Sequence, residues 1–365
     1  MIKVAVLFGG RSGEHDVSLC SAAGVISALD KTKYEVIAVG IDRQGRWKVQ
    51  ESPEIIAHPE FGRVMKLNDT GVWNMNYYED GGKLILVNHD ARKRITADVV
   101  LPVVHGTYCE DGTLQGLLEL AMVPFVGADT AGSAVGMDKD IAKRLLNESG
   151  IPVTESITVN KSQWASSRAD ICGRAAVLGF PLFVKPCRAG SSVGVVKVKK
   201  HDEISAAVDT ALMYDTKILI EKGIDAREVE CAVLGNYSPE ASVLGEITPR
   251  HDFYSYEAKY LDPEGAELLI PARIDNSLSD KIRECAIKGY TALCCTGMAR
   301  VDFFLERGTD RFYLNEINTL PGFTGVSMYP QLWQKSGLSY SDLLDRLIDL
   351  AFERHRERCS LKTEV

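Results

Sequence analysis

The stretch KVAVLF at residues 3–8 is apolar throughout and stops at Gly9-Gly10. A run without alternation predicts a strand buried on both faces, the mark of a parallel sheet. The glycine pair breaks it, Ser18 to Leu29 predicts a helix, and YEVIAVGI at 34–41 predicts the next strand. Parallel neighbours need a crossover, so this strand–helix–strand order confines the start of the chain to a doubly wound α/β unit. DVVLPVV at 98–104 adds a further buried strand that ends at His105-Gly106. Residues 45–97 between them carry many charges with Asp-Thr-Gly and Asp-Gly-Gly turns, which predicts an excursion of short antiparallel strands.

The pattern then changes. Leu114, Leu117, Leu118 and Ala121 recur at helical spacing, and the small residues from Gly127 to Ser133 suggest a first boundary. A helix is expected from Asp138 to Ser149, closed by Gly150 and Pro152. Strands are expected at 181–186, 193–198, 217–222 and 229–235 with few long helices between them, an α+β arrangement with antiparallel pairing. A polar, aromatic loop should run from Thr248 to Leu261, followed by strands at 297–305 and 311–317. The last helix should run from Ser339 to about Arg358. Ser339-x-x-Asp342 resembles a capping box, and Leu343, Leu344, Leu347, Ile348 and Ala351 form one apolar face.

Length and composition exclude several classes. The 365 residues suit two or three domains, and a 45% hydrophobic, 25% charged chain is an ordinary soluble globular protein. A formal charge of −8 gives no general attraction to nucleic acid or anionic membrane, so neither is expected as a partner. Nine cysteines without a CxxC pair fit neither a disulfide framework nor a structural zinc site. The start does not read as a signal peptide, and no stretch approaches the ~20 apolar residues of a spanning helix. A cytoplasmic location is expected.

Four places carry chemistry. In Lys185-Pro186-Cys187-Arg188-Ala189-Gly190-Ser191-Ser192-Val193-Gly194 a strand delivers a lysine to a small-residue turn whose backbone N–H groups can cradle phosphate. A polar hairpin with a surface lysine fits this stretch alone equally well. In GMARVDFFL, Arg300 and Asp302 sit two apart on one strand face, and Glu316 and Asn318 do so in YLNEINTLPG. If those strands pair, their oxygens converge in a set that suits Mg²⁺, in otherwise apolar strands where unpaired charge is costly. Ile218-Leu219-Ile220-Glu221-Lys222-Gly223-Ile224, with Glu228 beyond, can present polar groups and backbone to a nucleotide, or can be a solvated edge strand. The turn Gly9-Gly10-Arg11-Ser12-Gly13-Glu14 lies at the ligand-facing corner of a doubly wound sheet, as does His105. Glu14 can pair with a substrate ammonium or simply balance the helix start.

Taken in order, GGRSGEHDVSL, HGTYCEDGTLQG, MDKDIAK, FVKPCRAGSSVGV, LIEKGIDAREVE, FYSYEAKY, ARVDFF and NEINTLPGFTGVSM resemble the D-alanine–D-alanine ligases of the ATP-grasp superfamily from Lys3 to about Ala351. The resemblance implies a three-domain architecture: an N-terminal α/β substrate-binding domain at 1–127, a central ATP-grasp subdomain at 128–222 and a C-terminal one at 223–365. It implies ATP binding by Lys139, Lys185, Ser191, Ser192, Glu221, Lys222, Ile224, Glu228, Phe253 and Asn315. It implies two Mg²⁺ ions, replaceable by Mn²⁺, on Asp302, Glu316 and Asn318. Arg300 and the Gly322 backbone match oxyanion-binding groups. Glu14 and His105 match the first substrate's pocket, and Lys259 and Ser327 match groups for the second substrate's carboxylate. Glu14, Ser191 and Tyr260 match a trio that latches a mobile loop.

Two positions depart from the family pattern: Ala189 replaces a common acidic residue, and Cys109 a common glycine. The implied activity is joining two D-alanines through a D-alanyl phosphate in peptidoglycan precursor synthesis, by a homodimer. The alternatives are a sister ligase using D-lactate or D-serine, and a non-catalytic nucleotide-binding protein. Tyr260 bears on the first alternative. A phenol with a reference pKa of about 10 is neutral, and so adds no positive charge against an amine substrate.

Overall fold

The computed structural model describes residues 1–76, 82–249 and 266–362. The first sheet has the order Trp47–Gln50, Tyr34–Ile41, Ile2–Gly9, Val99–Pro102. Ile2–Gly9 pairs in parallel with both its neighbours, and Trp47–Gln50 closes the edge antiparallel. The helix His15–Ala28 supplies the crossover. Gly9, at φ +88°, cannot be larger, because a Cβ there would lie 2.2 Å from the Ile41 carbonyl oxygen. The excursion forms as expected, as one two-stranded and one three-stranded antiparallel sheet between Ile55 and Ala97.

Two antiparallel sheets follow. One has the order Ser156–Asn160, Lys217–Lys222, Leu182–Pro186, Val196–Val198. The other has the order Ala266–Leu269, Glu240–Pro249, Ala226–Leu234, Met298–Glu306, Phe312–Asn318. The strand expected at 193–198 shortens to Val196–Val198, because Ser191, Ser192 and Gly194 adopt positive φ and form a turn. The loop expected from Thr248 to Leu261 falls largely outside the described residues, as do Phe253, Lys259 and Tyr260.

Between the strands expected at 181–235 lies a single α-helix among the described residues, the eight-residue Ile204–Ala211, as expected, and the longer helices flank that block. Lys161–Val177 and Asn276–Ala292 are helices of 17 residues each. Lys161–Val177 buries only Trp164, Ile171 and Ala175 and holds non-helical backbone at Ser167, so its apolar stripe is faint. Asn276–Ala292 buries Ile282, Ala286, Gly289 and Tyr290, a helical spacing hidden among polar residues. The small-residue boundary at Gly127–Ser133 runs into another helix, Thr130–Met137, whose first turn is capped by the Asp129 carboxylate accepting from Gly132 N at 2.8 Å.

Three buried clusters support these layers. The largest joins the first sheet to residues late in the chain: Tyr329, Trp333, Leu343, Leu344, Leu347 and Ile348 share it with Val4, Val6 and Val99. A second lies under the sheet of Met298–Glu306, and a third under that of Leu182–Pro186. Arg354, near the chain's end, donates to the carbonyls of Gly127 and Phe125, the latter at 2.7 Å, and to Thr296 Oγ1 at 2.8 Å. Its guanidinium also stacks 4.5 Å above the Phe125 ring.

Candidate functional site

Strand pairing brings the charged residues together. Asp302 lies opposite Glu316, and Arg300 opposite Asn318, in adjacent antiparallel strands. Arg300 clamps Asp302 through two bonds, at 2.8 and 2.7 Å, and reaches Glu230 Oε2 at 2.9 Å on the other neighbouring strand. Asn318 Nδ2 donates to Asp302 Oδ2 at 2.9 Å. Glu230 ends the LIEKGIDAREVE block, but the sequence suggested no role for it. It lies directly opposite Asp302 across the strand pair, so the signal was an acid buried in VECAVL.

The second group lies on the sheet of Leu182–Pro186. Lys185 faces Leu219 in the ladder, so Glu221, two residues along, is its diagonal neighbour on the same face. Glu221 Oε2 sits 2.5 Å from Lys185 Nζ, and Oε1 sits 2.5 Å from Lys143 Nζ. Thr154 Oγ1 also donates to Glu221 Oε1. Burial alone would raise the Glu221 pKa, but the ammonium groups of Lys185 and Lys143 outweigh it and hold it at about 2. Lys143 and Thr154 went unnoticed in the sequence, although MDKDIAK places Lys143 four residues after Lys139. Lys222 alternates to the outer face, 3.9 Å from Glu155, and does not join this cluster. Ile224 and Glu228 follow on the way into and along the next strand.

Two contacts link the groups. Lys139 Nζ lies 3.3 Å from Glu316 Oε2 and donates to the Ala189 carbonyl at 3.0 Å. Lys185 Nζ donates to Asn315 Oδ1 at 3.3 Å. The helix Lys139–Glu148 positions its first lysine through Asp138, which caps it by accepting from Ile141 N at 3.2 Å.

The N-terminal corner closes the site. The Ser191 hydroxyl donates to Glu14, joining the small-residue turn to the loop that follows Ile2–Gly9. Ser12 Oγ donates to the His105 carbonyl at 2.7 Å and accepts from Glu14 N at 3.1 Å. His105 is buried, with its ring nitrogens 3.2 Å from Ser21 Oγ and 3.1 Å from the Leu320 carbonyl. Burial disfavours its charged form, but Glu110, 3.7 Å away, and Glu14 outweigh that and raise its pKa. Burial and Glu14 push the Glu110 carboxyl up in turn. A cleft of about 580 Å³ runs between Ser12, Glu14, Gly106 and Asp111 on one side and Arg188, Gly190, Val193 and Tyr214 on the other.

Gly322 and Ser327 lie in the turn after Asn318. A Cβ on Gly322 would come 2.8 Å from Ser327 Oγ, so a side chain there would have to displace that hydroxyl. Ser327 Oγ accepts from Thr324 N at 2.9 Å. The turn is tied to the helix His15–Ala28 by Phe323 N donating to Ser21 Oγ at 3.3 Å.

The oxygen donors of Asp302, Glu316 and Asn318 suit a hard cation such as Mg²⁺. No cluster of three or more His, Cys, Asp or Glu among the described residues could hold a metal alone. Two carboxylates and one amide on a shared face leave coordination positions for water and phosphate oxygen, as Mg²⁺ prefers.

Sequence profiles described as D-ala D-ala ligase N-terminus and C-terminus match residues 3–128 and 145–349. The D-alanine–D-alanine ligase A of Bradyrhizobium diazoefficiens is 50% identical over 366 residues, covering 99% of this chain and 98% of that protein. The solved D-alanine–D-alanine ligase of Coxiella burnetii superposes with a TM-score of 0.83 at 36% identity, covering 98% of this chain and 96% of that one. The VanG D-Ala:D-Ser ligase of Enterococcus faecalis gives a TM-score of 0.80 at 36% identity, over 96% and 99%.

Proposed function

The chain belongs to the D-alanine–D-alanine ligase family, and from that premise we propose how its residues divide the work. The protein is an ATP-dependent ligase with the ATP-grasp fold, and it joins two D-alanines. The observation that carries the residue assignment is the 3.3 Å approach of Lys139 to Glu316, which joins the lysine cluster to the carboxylate face. In our reading the γ-phosphoryl of ATP passes to the carboxylate of the first D-alanine, between these two groups.

Lys139 and Lys185 hold the phosphates, with Ser191 and Ser192 closing over them. Asn315, Glu221, Lys222, Ile224, Glu228 and Phe253 surround the nucleotide. Asp302, Glu316 and Asn318 hold two Mg²⁺ ions, or Mn²⁺ in their place, which when bound neutralise charge on the phosphates. Positioning and neutralisation supply most of the acceleration in phosphoryl transfer. Glu14 receives the ammonium of the first D-alanine, beside His105. Lys259 and Ser327 receive the carboxylate of the second. Its amine attacks the acyl phosphate and phosphate leaves. Arg300 and the Gly322 N–H stabilise the oxyanion, a contribution of about 3–4 kcal/mol per donor in comparable sites. Ser191 bonded to Glu14, with Tyr260, keeps water from the acyl phosphate.

The three sheets of four or five strands support functional boundaries at 1–127, 128–222 and 223–365, since each segment holds one of them and the two small sheets of the excursion lie within the first. We place the enzyme in the cytoplasm as a homodimer. No helix among the described residues is long and apolar enough to cross a membrane. Sedimentation of the purified protein as a monomer at micromolar concentration would remove the dimer.

The test of the whole assignment is phosphate release from ATP with D-alanine, L-alanine, D-serine and D-lactate in parallel. D-Alanine should be strongly preferred, and equal use of D-serine would move the chain toward the activity named for the Enterococcus relative. In the same assay Glu316→Gln should nearly abolish turnover and raise the Mg²⁺ concentration that the remaining activity requires, while the fold survives. Unchanged Mg²⁺ dependence would remove the metal assignment.

A further inference from the structure

Lys143, Lys185 and Glu221 form a buried triad, exposed to solvent by only 6, 7 and 2% respectively. Lys143 uses its three donors inside the protein, on Glu221 Oε1 at 2.5 Å, Thr154 Oγ1 at 2.7 Å and the Thr154 carbonyl at 3.2 Å. An ammonium has no more to give, so Lys143 does not itself reach a ligand. Lys185 shares Glu221 through the other oxygen and contacts Asn315, which leaves one donor without a partner among the described residues.

We infer that Lys143 is a positioning residue for the nucleotide: it pins one oxygen of Glu221, so that the other oxygen aims Lys185 at the phosphates. Two effects act together. With Lys143 present, Glu221 is divided between two cations and holds Lys185 less tightly. With Lys143 present, the triad also carries a net positive charge in a place with little water, where an arriving phosphate completes the balance. Removing it leaves a neutral Lys185–Glu221 pair that competes with the nucleotide for the lysine. The helix explains the geometry. Lys139 and Lys143 are one turn apart on the same face, so one element delivers a cation to the carboxylate face and another beneath the nucleotide. The inference rests on the reading of Lys185 as a phosphate ligand.

The test measures binding of a non-hydrolysable ATP analogue with Mg²⁺ alongside steady-state kinetics, for Lys143→Met, Thr154→Val and the double variant. Lys143→Met should raise the nucleotide Kd and the KM for ATP roughly tenfold, a modest affinity change. The KM for D-alanine should stay within about twofold, because the first-domain pocket is untouched. Thr154→Val should shift ATP in the same direction by a smaller factor, and the double variant should be no worse than Lys143→Met, since both act through one contact. An unchanged Kd in folded Lys143→Met, parallel losses for both substrates, or multiplicative effects in the double variant would overturn it. If Lys143→Met does not fold, Thr154→Val decides: the KM for ATP should rise while that for D-alanine holds, and the absence of that split would overturn the inference equally. Lys185→Met is the control: an unchanged Kd there strikes the phosphate reading itself, whatever Lys143 does.

Discussion

Glu221 ties stability to pH through one carboxylate. Its folded pKa of about 2 lies below the ordinary carboxylate value of about 4.3, so its contribution is fully present above the ordinary value. That contribution is lost as pH falls from there toward 2, and it is on the order of 3 kcal/mol. Glu221→Gln should cost about 3–5 kcal/mol at pH 7, because two buried lysines then face each other without compensation. Denaturant midpoints from pH 7 down to pH 3 should show the gap to wild type narrowing only at the acid end. A constant gap would mean that the two lysines do not set that pKa. At this scale the sequence was partly legible. Arg300, Asp302, Glu316 and Asn318 stood out because a strand alternates its faces, and charges in apolar strands must find one another. Lys143 did not, because a lysine inside a polar helix looks solvated until the sheet that covers it is known.

Among the elements, the strands were the most legible. Ile2–Gly9 and Tyr34–Ile41 are largely apolar runs, as strands buried on both faces of a sheet require. The helices Lys161–Val177 and Asn276–Ala292 were not legible, because they cover one face of a sheet with a few small or spaced apolar residues. The C-terminal helix Tyr340–Ser360 was read from its capping and apolar face, and Ser339 does accept from Asp342 N, at 3.2 Å. Its partner was not readable, because the face says nothing about which sheet it meets. That helix carries Arg354, which holds the carbonyls on both sides of Val126. Arg354→Met should lower stability by about 3 kcal/mol, since it removes charged hydrogen bonds and strands the carbonyls. The loss should appear as faster hydrogen exchange at residues 125–128. Uniform protection there would show the clamp to be dispensable.

Across the whole molecule, the largest buried cluster is assembled from both ends of the chain. The sheet of Val4 and Val99 is covered by Leu343, Leu347 and Ile348 from the final helix, more than 240 residues downstream of that sheet's last strand. The order of synthesis therefore matters. Chains emerge from the ribosome N-terminus first at about 5–20 residues per second, and a domain usually folds once it is complete. Here the first sheet is made early but lacks its cover until the last residues have left the tunnel, a wait on the order of ten seconds or more at that pace. During that wait its apolar face is open to chaperones and to other nascent chains. The sheet beneath Lys185 has its own buried cluster and needs no such delay. Stalled chains ending before residue 339 should accordingly protect residues 156–222 from protease while leaving residues 2–102 open to cleavage.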